Sequence, residues 1–211
     1  MHARVAAFEN QRFGDPSLTD ELRNRARESA PRWRDALRNA QGHVMLVDSE
    51  SGRGLGITFF GNEDDIREAE PVFERMGDEI PEEQRGKRVS VDTYEVAINE
   101  VSGEDAKCAR VSRLEGDPSK LDEATRKSNE QILPRVRELT GYRGATGLID
   151  RSNGRTLLVT FWESEEAMRS SEQQADRLRS ESAEAGGGKI TAVERYQVMF
   201  AERPAAVAGS R

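Results

Sequence analysis

Two stretches decide the fold: "LVDSESGRGLGITFFGNEDDIR", residues 46–67, and "LIDRSNGRTLLVTFWESEEAMR", residues 148–169. Each reads as an apolar run, a turn, a second apolar run and the opening of a helix. Placed 102 positions apart, they share Leu46, Asp48, Gly52, Arg53, Leu55, Thr58, Phe59, Glu63 and Arg67 with their counterparts. The offset holds without a gap from Asp15 to Ile98, with 26 identities over 84 aligned positions. The opening runs "ARVAAFE" and "ARVSRLE" match at an offset of 106, so the first copy carries four extra residues around 10–14. The chain is a duplication, and the repeats are expected at 1–102 and 106–202. A linker is expected at 99–107 and a flexible tail at 203–211.

Each copy predicts strand, helix, strand, strand, helix, strand. Strands are expected near 3–9, 44–48, 54–60 and 88–98, and near 109–115, 146–150, 156–162 and 190–201. The first helices are expected to start at Ser17 and Ser119, each with an acidic residue three positions on. Leu18, Leu22, Ala26, Ala30, Trp33 and Leu37 recur at helical spacing. So do Ile66, Ala69, Phe73, Met76 and Ile80 of the second helix. Pro31 and Pro134 predict a kink or break in the first helices. The Asn153-Gly154 pair predicts a hairpin, because both residues tolerate positive φ. In "LGITFF" and "LLVTFW" both alternating faces are largely apolar, so both must be covered. Two helices cover only one face of a four-stranded sheet, and the other copy is the economical cover for the second. The fold class is therefore α+β: tandem βαββαβ repeats closing an intramolecular barrel.

Composition narrows the function. The 211 residues are 35% apolar and 34% charged, with net charge −7 and no basic block. Such a chain lacks the electrostatic footprint of a nucleic-acid binder. No apolar run approaches the roughly 20 residues that span a bilayer. "MHARVAAFENQRF" has no signal-peptide core, and the single Cys108 forms no intrachain disulfide. A cytoplasmic protein is expected, a monomer with an internal pseudo-dimer, with further self-association open and neither membrane nor nucleic acid as partner.

The stretch "ILPRVRELTGYRGATGLIDRSNGRTLLVTFWESEEAMRSSE" resembles the antibiotic biosynthesis monooxygenase (ABM) family. The first-helix proline, the Gly141–Gly144 entry to the second strand and the "FWESEEAM" junction carry the likeness. It extends over most of 109–200 and, more weakly, 3–98. It implies a ferredoxin-like unit paired as a dimeric α/β barrel. It implies a family of mixed activities: cofactor-free oxygenases of aromatic substrates, haem-degrading enzymes, and members without an assigned reaction. The haem branch uses an Asn after the first strand, which Asn10 matches. Its Trp and iron-ligating His fall on Ala69 or Ser171 and on Glu79 or Glu181. The resemblance therefore implies no haem chemistry and no cofactor.

The candidate catalytic residues are Asn10, in the insertion, and His43, one of two histidines. Each also has a plain reading, as a turn residue and as a strand-end histidine. Tyr94 and Tyr196, at matching positions, together with Thr58, Phe60 and Trp162, are the candidate ligand-pocket residues; each equally reads as core. No metal-ligand spacing, nucleophile elbow or phosphate loop is present. The arginines at 23, 25, 27, 32, 34 and 38 read as a solvated helix face. A small-molecule ligand is expected, bound by a cofactor-independent aromatic monooxygenase or by a non-catalytic ligand- or partner-binding module. Gly54 and Gly56 stand where the second copy has Thr156 and Leu158, which places the larger pocket in the first repeat.

Overall fold

The computed structural model describes residues 1–80, 86–101 and 106–204. Residues 102–105 of the expected linker and 205–211 of the expected tail lie outside the described residues. The strands are β1 (His2–Glu9), β2 (Ala40–Asp48), β3 (Arg53–Phe60), β4 (Lys87–Val101), β5 (Cys108–Glu115), β6 (Tyr142–Asp150), β7 (Arg155–Trp162) and β8 (Lys189–Glu202). They fall within a few residues of the sequence expectation. Their hydrogen-bonded order is β1-β3-β2-β8-β5-β7-β6-β4, an antiparallel closed barrel.

Two compact units divide the chain, and they do not follow the sequence strictly. The first comprises Met1–Tyr94 and Tyr196–Pro204; the second is built on Glu95–Arg195. The last strand of each repeat is thus divided. In the first unit β3 pairs β1 and β2, and the end of β8 adds to β2 through Leu46 opposite Val198. In the second unit β7 pairs β5 and β6, and the end of β4 adds to β6 through Val96 opposite Leu148.

β3 is buried on both faces, as its two-sided apolar pattern requires, while the second face of β7 is half-buried at Thr156, Leu158 and Thr160. Leu55, Ile57 and Phe59 are buried on one face of β3, Thr58 and Phe60 on the other. In β7 Leu157, Val159, Phe161 and Trp162 are likewise buried.

The helices differ from the sequence expectation in three places. First, α1 (Thr19–Ala36) follows a short 3-10 turn, and Ser17 is not its cap. Asp15 Oδ1 instead accepts from the Ser17 amide and hydroxyl at 2.9 and 2.6 Å. Asp117 does the same for Ser119, ahead of α3 (Leu121–Lys127). A carboxylate is the stronger acceptor, so it takes the turn. Second, Pro31 does not break α1. It sits on the exposed face, where water satisfies the carbonyl that its ring leaves unbonded. In the second copy the break is real: a π-turn at Ser128–Ile132 joins α3 to α4 (Leu133–Arg137) just before Pro134. Third, α2 (Glu63–Asp78) ends before Ile80, which is 39% exposed. Its counterpart is split by Ser171 into α5 (Glu165–Ser170) and α6 (Glu172–Ala185). The expected hairpin joins β6 to β7, and in its turn Gly154 has positive φ. Asn153 keeps negative φ and its side chain accepts from the Arg155 amide at 3.0 Å. The loop has four residues, and only its last needs the left-handed region, as in the matching turn at Gly52.

Candidate functional site

The helix-facing side of each sheet carries the polar groups. Alternation along β1 and β3 brings Arg4, opposite Thr58, to this side. Arg4 is buried and makes two hydrogen bonds to Glu70 of α2, at 2.7 and 3.0 Å. Its guanidinium also lies 4.0 Å from the Phe73 ring centroid. The same latch recurs in the second unit as Arg110 and Glu172. Arg110 is 2% exposed and donates to the Met168 carbonyl, to Ser171 Oγ at 3.1 Å and to Glu172 at 3.1 Å. It thereby occupies the Met168 carbonyl at the break between α5 and α6. Glu172 is shared with Arg179 at 2.8 Å and Arg195 at 2.9 Å. Burial works against its charge, but the bonds from Arg195 and Arg179 hold its pKa down to about 2. Burial also draws the Arg110 pKa below the usual arginine value, with Glu172 opposing that shift. Neither pair was singled out from sequence. The signal was there: both arginines occupy the same place in the duplicated opening strand, and both glutamates are identities of the repeat.

In the first unit His43 lies on β2 opposite Thr58, and its Nδ1 is 2.9 Å from Thr58 Oγ1. The ring stacks on Trp33, with centroids 5.3 Å apart and planes 9° from parallel. Phe200 approaches it at 6.3 Å. Burial, and then the Arg4 charge, lower its pKa to about 4, so the imidazole is neutral at pH 7. Phe60 is buried with Leu37, Ile66 and Ala69.

Asn10 is elsewhere. It caps the 3-10 turn Gln11–Gly14, its Oδ1 accepting from the Arg12 amide at 2.9 Å, and its amide bonds the Gly52 carbonyl. The register runs from Arg53, beside this turn, to Thr58, opposite His43. Five residues of strand separate the two by about 17 Å. The structure does not bring Asn10 and His43 together.

The second unit contains a cavity of about 80 Å³ between the sheet and the α3–α4 and α6 helices. Its walls are mainly aliphatic, among them Leu121, Ile132, Leu133, Ala145 and Leu158. Thr125, Ser128, Thr156, Thr160 and Ser182 are its hydroxyl groups, and Glu115 is its ionisable side chain. Ser128 and Ser182 hydroxyls lie 3.3 Å apart. Thr160 accepts from the Trp162 indole at 3.1 Å, and Trp162 is fully buried, edge-to-face with Tyr142. Tyr94 and Tyr196 are buried, and neither lines this cavity.

The larger pocket expected beside residues 10, 43, 56 and 94 is therefore corrected: the cavity lies beside 116, 145 and 158. The reason is side-chain volume. The space above Gly54 is filled by Phe13 of the insertion, whose ring comes within 3.0 Å of where a Cβ would stand. Phe8 and His43 close over Gly56 at 3.7 and 3.8 Å. The second copy lacks the insertion, and Ala145 and Gly147 replace His43 and Met45. The two strand exchanges roughly offset the volume that Thr156 and Leu158 add, and the absence of a counterpart to Phe13 leaves the space.

No protein-family model matches the chain. The uncharacterised protein Rv2557 of Mycobacterium tuberculosis H37Rv is 24% identical over 151 residues, 70% of this chain and 66% of that protein. Its neighbour in name, Rv2558, is 28% identical over 95 residues, 45% of this chain and 40% of that protein. The chain thus spans just under two thirds of the first relative and less than half of the second. Among solved structures, an anthrone oxidase-like protein aligns over 100% of this chain and 96% of its own, with TM-score 0.60 and 13% identity. A ferredoxin-fold protein related to antibiotic biosynthesis monooxygenases, from Listeria monocytogenes, aligns over 93% and 94%, with TM-score 0.52 and 9% identity.

The fold is that of the ABM-like α/β barrels.

A haem-degrading enzyme from Listeria monocytogenes shares this ABM-like fold, over 93% of this chain and 99% of its own, at TM-score 0.51 and 9% identity. Among the described residues no helix is long and apolar enough to cross a membrane, and no group of three His, Cys, Asp or Glu could hold a metal ion.

Proposed function

We propose that this chain, as two ABM-like repeats at 1–102 and 106–202, is a small-molecule-binding barrel whose ligand site is the apolar cavity of the second repeat. The carrying observation is the lining: aliphatic walls, five hydroxyl side chains, and no ionisable group except Glu115 at the exposed rim. Such a wall binds by exclusion of water and by hydrogen bonding. It offers no base to remove a proton from a bound phenol. Binding without turnover is the reading this supports. Native mass spectrometry of the full chain with a mixture of uncharged apolar fragments tests it. One-to-one complexes are expected, lost on Ala145→Leu, which fills the cavity. Finding no complexes, or complexes indifferent to Ala145→Leu, contradicts the site.

One observation favours the oxygenase reading. His43 is a neutral imidazole at pH 7, hydrogen-bonded to Thr58 and facing aromatic rings. It has the protonation state of a general base. In that reading Asn10, about 17 Å away along the sheet, takes no part in the proton transfer, and Tyr94, Thr58, Phe60, Trp162 and Tyr196 act as walls.

Haem is disfavoured on the chain's own residues. Ser171 is occupied by Arg110 and the Met168 carbonyl, and Glu181 is paired to Arg135 at 3.1 Å. Titration with haemin is expected to give no axial-ligand spectrum and, with a reductant, no ring opening. A biliverdin-like product would overturn this.

A further inference from the structure

We infer that the second-repeat cavity selects a compact, uncharged group bearing a hydrogen-bond acceptor, such as a short-chain ketone or aldehyde end. The inference rests on the cavity being the ligand site.

Size is the first restriction. A dry protein cavity of about 150 Å³ holds benzene, and this one is about 80 Å³. By proportion it takes only a few non-hydrogen atoms, so a fused aromatic system is excluded from its interior. Charge is the second. Glu115 is exposed at the rim and paired with Lys189 at 3.5 Å, which leaves no counter-charge within. An ion placed against the leucine and isoleucine walls would lose its hydration without compensation.

Hydrogen bonding is the third restriction, and it follows from counting protons. Ser128 and Ser182 each carry one hydroxyl proton, and their contact at 3.3 Å uses one of the two. Among the described residues no other acceptor is seen for the remaining proton. Thr160 has already accepted from Trp162 and turned its own proton to the Arg110 carbonyl at 3.5 Å. The serine pair therefore presents a donor to the cavity, beside the Thr125 and Thr156 hydroxyls on its wall, and an acceptor on the ligand completes it. The pair ties the π-turn to α6, so the donor stands on two elements that already face the space.

The test uses three probes of nearly one shape, each of four non-hydrogen atoms: acetone, 2-methylpropene and acetate, read by methyl NMR of the full chain. Acetone is expected to shift the Ile132, Leu133 and Ala145 methyl groups saturably. The alkene, which lacks the acceptor, is expected to bind about 5- to 10-fold more weakly, the worth of one hydrogen bond. Acetate is expected to shift none of them. In Ser128→Ala/Ser182→Ala, acetone is expected to fall toward the level of the alkene; should that variant not fold, the comparison on the unaltered chain decides alone. Acetate binding as well as acetone, or the alkene binding as tightly, overturns the selectivity while leaving the cavity as a ligand site. Failure of all three probes to shift these methyls overturns the site itself.

Discussion

His43 shows how one residue's setting fixes its chemistry. The ring is half-buried between Trp33 and Phe200, near Arg4, and its pKa falls to about 4 from an ordinary 6.5. The unfolded chain therefore binds a proton between pH 6.5 and 4 that the folded chain refuses. Stability is full above pH 6.5 and is lost as pH falls toward 4. The full difference corresponds to about 3 kcal/mol; because the ring keeps some solvent contact, a loss of about 1–2 kcal/mol is expected. Urea unfolding of the parent and of His43→Gln at pH 7 and pH 4.5 isolates it. The parent should lose that much more stability than the variant. Parallel losses would show that the imidazole is not held neutral. Phe13 is the other decisive residue. It belongs to the insertion that drew attention to Asn10, yet its ring, not the Asn10 amide, determines the first unit by filling the space over Gly54.

Elements were legible where a pattern is local. Strand alternation and the duplicated turn located all eight strands, because a period of two residues and a glycine in a turn are properties of adjacent residues. Helix interruptions were less legible. Pro31 and Pro134 look alike in sequence, but they differ by one position in the repeat, Pro31 inside α1 and Pro134 in the first turn of α4 after the π-turn. The hairpin makes a direct test of this level. Gly154 has φ +75°, and a Cβ there would stand 2.0 Å from the Gly116 carbonyl oxygen. Gly154→Ala should cost about 2 kcal/mol or more, from the left-handed backbone and the collision together. Asn153→Ala loses one exposed hydrogen bond and should cost about 0.5 kcal/mol. Equal costs in chemical denaturation would contradict a left-handed backbone confined to Gly154.

At the scale of the whole molecule, the duplication was readable and the site was not. A cavity is the absence of side chains at positions brought together only by folding. Here those positions are Ala145 and Gly147 on β6 and the missing insertion after β5. Comparing one strand, Gly54 and Gly56 against Thr156 and Leu158, pointed to the other repeat because the neighbouring strand carried an exchange of about equal and opposite size and Phe13 of the insertion filled the space over Gly54. The Arg–Glu latches escaped for a related reason: an arginine in a strand pattern reads as solvent-facing until its partner on the helix is known. The division of β4 and β8 has a further consequence. A fragment 1–102 lacks Tyr196–Pro204, the segment that completes the first unit's sheet at β2. It is expected to aggregate or self-associate through that open edge, as size-exclusion chromatography would show. A well-behaved monomer with native-like amide protection would contradict the dependence on β8.

The central claim is that one scaffold, used twice, holds an apolar cavity in its second copy where, among the described residues of the first, Phe13, Phe8 and His43 fill the space over Gly54 and Gly56. A crystal of the full chain pressurised with xenon tests this most directly, since xenon enters dry apolar cavities without any requirement for hydrogen bonding. The account predicts a xenon atom among Ile132, Leu133, Ala145 and Leu158, and none over Gly54 and Gly56. Xenon beside His43 and Gly56, or an empty second unit, would contradict it.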